Sequence, residues 1–119
     1  MKGSICIYVS QTPYGRVQAA EAVRHLGGAL NDGLDVFMLL RDDGVYLARD
    51  GQQDRVDGWT ALAPVLARHI AKGAQVLVHA SSARQRGLLD GSPLIPGIIL
   101  ADDHAVANAL DGTCAVMTF

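Results

Sequence analysis

Apolar positions run along this chain in two alternating rhythms. Ser4–Val9 reads Ser-Ile-Cys-Ile-Tyr-Val, apolar on both faces, as a strand buried on both sides of a parallel sheet reads. Across residues 16–30, Ala19, Val23, Leu26 and Leu30 recur at helical spacing. Thr12 ahead of Pro13 is the expected cap of that helix, with proline in its first turn. Gly27 and Gly28 lie inside it, each about 1 kcal/mol worse than alanine, so close packing against the sheet is expected there. Gly33 suits the left-handed position that ends it. A second apolar strand spans 34–40, and 42–48 forms a short helical turn. Residues 49–58 are polar and read as an exposed loop. Residues 59–72 return to helical spacing through Leu62, Leu66 and Ile70, with Pro64 near the first turn. A third strand covers 74–79 and a fourth 97–100, after a loop bracketed by Pro93 and Pro96. Asp102 and Asp103 cap a helix running to Leu110, where carboxylates suit the positive end of the helix dipole. Residues 113–119 form the last strand.

Strands alternating with helices imply crossover connections and a parallel sheet with both faces covered, a doubly wound α/β architecture. The alternation does not set the strand order. Neither a repeat nor a linker interrupts the 119 residues, which make one domain, 1–119.

Composition narrows the functional classes. Hydrophobic residues are 50% and charged residues 18%, against about 25% charged in an average globular domain. That balance excludes disorder and points to surface buried in an assembly. Ten basic and twelve acidic side chains leave a net charge of −2, with no basic excess for nucleic acid. No apolar run reaches the roughly 18 residues of a membrane span. Met1-Lys2-Gly3-Ser4 leads into the first strand with no small-residue cleavage site, so no secretion signal is expected. Cys6 and Cys114 make no disulfide framework, and a cytoplasmic location is the expectation.

In sheets of this kind, ligands bind outside the carboxyl ends of the strands. The first such loop, Ser10-Gln11-Thr12-Pro13-Tyr14-Gly15, holds neither a dinucleotide nor a P-loop glycine pattern. A phospho-receiver needs a late lysine, and the lysines are Lys2 and Lys72. The acid pair Asp42-Asp43 reads as a solvated turn. His25, His69, His79 and His104 are too scattered for metal ligation. His25 and His69 read as structural, and no metal or cofactor is expected. Cys6 and Cys114 both sit in apolar runs and read as inert, buried thiols. The segment 79–87 is richest in chemistry, joining His79, Ser81, Ser82, Arg84 and Arg86 ahead of Gly87. It is equipped to hold a small anion. Ser82 and His79 form a conceivable nucleophile–base pair, but no third, orienting group is evident beside them.

Thr12-Pro13-Tyr14-Gly15, then 42–48 with Gly51-Gln52, then Arg86-Gly87 and the ending Val116-Met117-Thr118-Phe119 resemble the DsrE/DsrF-like family over nearly the whole chain. The family takes in the sulfur-relay TusD and YchN-like proteins. The resemblance implies a three-layer α/β/α sandwich around a parallel five-stranded sheet, flavodoxin-like in outline. It also implies a soluble protein assembled as a trimer, a hexamer or a complex with related subunits. Relay members carry a persulfide on a cysteine at the end of the third strand. Here that position falls on His79, and a second cysteine three residues on would fall on Ser82. The expected ligand-binding set is Thr12, Tyr14, Gly15, Asp43, His79, Ser82, Arg86 and Gly87. The leading expectation is a structural or ligand-binding oligomer without the transferring thiol. The alternatives are sulfur relay through Cys114 or Cys6, and a small-ligand or metal-dependent enzyme built on His79.

Overall fold

A computed structural model describes residues 4–53, 61–91 and 94–119. Five parallel strands, β1 (Ser4–Val9), β2 (Val36–Leu40), β3 (Gln75–His79), β4 (Ile99–Ala101) and β5 (Thr113–Thr118), form one sheet in the order β4-β3-β2-β1-β5. The chain steps from β1 to β4 in one direction, then returns across the sheet to place β5 beside β1. Right-handed crossovers put connections made in one direction on one face and the return connection on the other. The packing agrees. On one face, α1 (Gln18–Asn31), the short 3-10 helix η1 (Asp42–Ala48) and α2 (Leu62–Ala71) cover Ile7, Val9, Met38, Leu40, Val76 and Val78. On the other, α4 (Asp103–Asp111) covers Cys6, Phe37 and Leu39. The register Ile7↔Met38↔Val76 aligns side chains on the first face, and Tyr8↔Leu39↔Leu77 on the second. These are the three layers that the sequence resemblance implies.

β2 is buried at all five positions because it has a strand on each side and helices on both faces. β5 is the reverse case. It is an edge strand, and its residues 114–118 are all exposed. Val116 is 49% exposed and Met117 37%. The expectation of a buried Cys114 is therefore wrong: the apolar run around it lines an open edge. A register irregularity between Ser4 and Ile5 pairs Thr113 and Ala115 with β1 and leaves Cys114 out of the pairing. Cys6 is fully buried, as its sequence context indicates.

Two local expectations are also corrected. α1 begins at Gln18, not near Thr12, with Val17 as an N-cap that supplies no side-chain bond. The Thr12 hydroxyl accepts from the Tyr14 amide two residues on, 3.2 Å away, a turn that competes with helix capping. Gly27 packs against α2 rather than the sheet, where an added Cβ would stand 2.8 Å from the His69 ring; Gly28 faces open space. The end signals of α1 and α2 hold, because Gly33 and Gly73 take φ of +72° and +106°. Trp59, the expected start of α2, residues 54–58 of the expected polar loop, the residues at 1–3 and Pro93 lie outside the described residues. Among those described, no helix is long and apolar enough to cross a membrane.

Candidate functional site

The last residue of β3 is His79, and it caps the short helix α3 (Ala80–Gln85) that follows at once. Its backbone is extended, and its ring accepts from the Ser82 amide at 3.3 Å, a capping role usually taken by a Ser or Asp oxygen. Because Nδ1 accepts that N–H, the ring proton belongs on Nε2. The remaining contacts fit this tautomer. Nε2 donates to Asp103 Oδ1 at 2.6 Å, and the Ser82 hydroxyl donates to Nδ1 at 2.7 Å. Ser82 Oγ in turn accepts from the Asp42 amide at 3.0 Å. The chain Asp103–His79–Ser82–Asp42 thus joins the loops after β4, β3 and β2.

Each link has a structural cause. β3 pairs with β4 so that His79 is level with Ala101, which sets the start of α4 beside the imidazole. Asp102 is the N-cap of α4 and accepts from the Ala105 amide at 2.8 Å, leaving Asp103 free to turn toward His79. Asp42 takes a left-handed backbone, φ 52°, the only such non-glycine among the described residues. Its amide is directed by the extended backbone of Arg41, φ −139° and ψ 158°, and the bend then carries the chain into η1. His79 and Ser82 are buried, while the Asp103 side chain is 87% exposed. The site therefore opens to solvent on the Asp103 side.

Arg86 completes the cluster. Its Nη1 donates to the Ser82 carbonyl at 3.2 Å and its Nε to Asp43 Oδ1 at 3.0 Å. Gly87, with φ of +72°, turns the chain away behind it. Four of the sequence-selected residues, Asp43, His79, Ser82 and Arg86, are thus linked by hydrogen bonds. Thr12, Tyr14 and Gly15 stand in the loop after β1, where the Tyr14 ring lies 6.2 Å from that of Tyr46 on η1. Asp103 is the residue that sequence reasoning missed, and it is the third group judged absent beside the Ser82–His79 pair. Its cap position was legible; its approach to a histidine 24 residues earlier depends on strand order.

Neither thiol reaches this edge of the sheet. Cys6 lies mid-strand on the face covered by α4, and burial pushes its thiol up to about 11. By strand register it is roughly 13 Å from the level of His79, taking about 3.3 Å per residue. Cys114 is at the amino end of β5, roughly 18 Å below that level on the same measure. Among the described residues no group of three or more His, Cys, Asp or Glu side chains is placed to hold a metal ion. His25 and His69 have structural surroundings: His25 Nδ1 meets the Glu21 carbonyl oxygen at 2.7 Å, and His69 fills the space beside Gly27.

The fold as a whole is similar to known proteins. The family model of the DsrE/DsrF-like family matches residues 3–119, and the chain belongs to that family. The uncharacterized protein MK0008 of Methanopyrus kandleri is 34% identical over 105 residues, 87% of this chain and 84% of that protein. The uncharacterized protein MJ0989 of Methanocaldococcus jannaschii is 32% identical over 114 residues, 95% of this chain and 96% of that one. The crystal structure of the ychN protein from E. coli superimposes with a TM-score of 0.83 at 20% identity, covering both chains fully. A protein of unknown function from Methanobacterium thermoautotrophicum, MTH1491, gives 0.71 at 15% identity, covering 99% of this chain and all of that one.

Proposed function

We propose that this chain is a cytoplasmic, oligomeric subunit related to the sulfur-relay proteins of its family that does not itself carry sulfur at the end of β3. It acts there as a structural partner or as a binder of a small anion beside Arg86. One observation carries this reading. At the carboxyl end of β3 the polar groups are an imidazole and a hydroxyl, already bonded to each other and to Asp103 and Asp42. A persulfide needs a thiolate, and neither nitrogen nor a serine oxygen can stand in for it. Assembly is supported by β5, whose apolar edge residues Ala115, Val116 and Met117 are exposed. The partner that fits is a second copy or a related DsrE/DsrF-like subunit, as a trimer or hexamer.

Incubation with a sulfurtransferase and a persulfide donor, followed by peptide mass spectrometry, tests the reading. The expected result is no transferable sulfur on Cys6 or Cys114. A stable single-sulfur adduct that passes to an acceptor overturns it. Cys114 favours a second reading, because it is an exposed thiol. Relay through Cys114 predicts an adduct on that residue alone, abolished by Cys114→Ser.

A further inference from the structure

We propose that Ser82 is an acyl-accepting hydroxyl, set by His79 and Asp103 to react with short activated esters or thioesters. The proposal stands on the hydrogen-bond order at the end of β3, and not on the loss of sulfur transfer or on assembly. Carboxylate, imidazole and hydroxyl follow one another at 2.6 and 2.7 Å, the reach that a nucleophile and its base require. The direction of the bonds is independently fixed. The Ser82 amide donates to Nδ1, so Nδ1 presents a lone pair to the hydroxyl while Nε2–H is held by Asp103. This is the polarity of a Ser-His-Asp array with the roles of the two ring nitrogens exchanged. Asp103 then holds the ring in one tautomer and stabilises the imidazolium that forms.

Two further features belong to the same cluster. The Asp42 amide donates to Oγ at 3.0 Å from the left-handed backbone at that residue, a conformation that costs energy and tends to be retained at functional sites. Arg86, anchored on the Ser82 carbonyl and on Asp43, adds a positive charge to the same cluster. The array also lies at the carboxyl edge of a parallel sheet, where such folds bind ligands. Ser82 and His79 are only 3% and 6% exposed, so approach to the hydroxyl is restricted and a small probe is needed.

The reaction balances with an activated acyl compound and water. Oγ forms a bond to the carbonyl carbon as its proton passes to Nδ1. The carbon–oxygen or carbon–sulfur bond to the leaving group then breaks, and the leaving group takes that proton from Nδ1. Water next adds to the acyl-serine, giving up its proton to Nδ1, and the carboxylic acid departs as Ser82 recovers its hydrogen.

p-Nitrophenyl acetate is the probe, read by nitrophenol release and by mapping the acetyl group on peptides. The wild-type protein is expected to acquire one acetyl group on Ser82, and Ser82→Ala none there. Asp103→Asn is the decisive variant, because Asp103 is largely exposed and its change leaves the core intact. It should slow Ser82 acylation about tenfold or more, with an unchanged melting temperature. Acetylation confined to Lys72 or another surface nucleophile overturns the proposal, and so does an Asp103→Asn rate equal to that of the wild type. Persulfide on Cys114 would leave these outcomes unaffected, so the two readings fail separately.

Discussion

Gly44 rests directly on the main chain of Val9: a Cβ added to this glycine would collide with the Val9 carbonyl. The contact lets η1 fold tightly over the end of β1, which places Asp42 and Asp43 over α3. Backbone cannot yield as the tip of a side chain can. Gly44→Ala is therefore expected to destabilise the fold by about 3 kcal/mol or more. Urea unfolding gives the value, and a loss within about 0.5 kcal/mol would show that η1 adapts.

The adjacent glycines of α1 should behave differently from each other. Gly28 faces open space, so Gly28→Ala is expected to stabilise by about 1 kcal/mol through helix propensity alone. At Gly27 the same methyl meets the His69 ring, and that gain is reduced or reversed. Thermal melts of the two variants test the order. Equal stabilisation would mean that the ring moves aside without cost.

Burial of Cys6 links stability to pH. Its thiol ionises near 9.0 when unfolded and near 11 when folded, with desolvation as the cause. The folded state thus holds this proton more tightly. The contribution is fully present below pH 9 and is lost as pH rises through 11, at about 1.4 kcal/mol per pH unit between them. Cys6→Ala should remove that part of the alkaline decline, measured as the difference between paired urea titrations. A parallel decline in both proteins would assign it to other groups.

The two cysteines should also separate kinetically. Cys114 is exposed and Cys6 is fully buried. In dilute, dissociated protein a maleimide should modify Cys114 promptly and Cys6 only on unfolding. Protection of Cys114 in the native protein, lost on dilution, would identify β5 as an interface.

For assembly itself, light scattering at low micromolar concentration should give a multiple of 12.6 kDa. Val116→Lys places a charge on the exposed edge and should shift the population toward the monomer with little change in melting temperature. A wild-type monomer would remove the assembly role.

Much of this fold is legible in single residues. Ser4–Val9 shows two apolar faces because β1 is central, and Asp102 announces α4 because its carboxylate caps that helix. The start of α1 is not legible, since Thr12 spends its hydroxyl on a local turn and Val17 gives no capping signal. Cys114 misleads for a different reason. An apolar strand looks alike at the centre and at the edge, and strand order decides which it is. The same holds for Asp103, whose partner is chosen by the β3–β4 pairing rather than by spacing in the chain. Residues 79–87 mark the site by their chemistry, but the carboxylate that completes it comes from a separate helix.

The bend at Asp42 has an evolutionary corollary. Its gift to the serine is a peptide N–H, present in every residue type except proline. Exchange of the aspartate side chain therefore leaves the donor in place. Glycine or asparagine at position 42 would keep the left-handed turn that leads the chain onward into η1, whereas a β-branched residue would strain it.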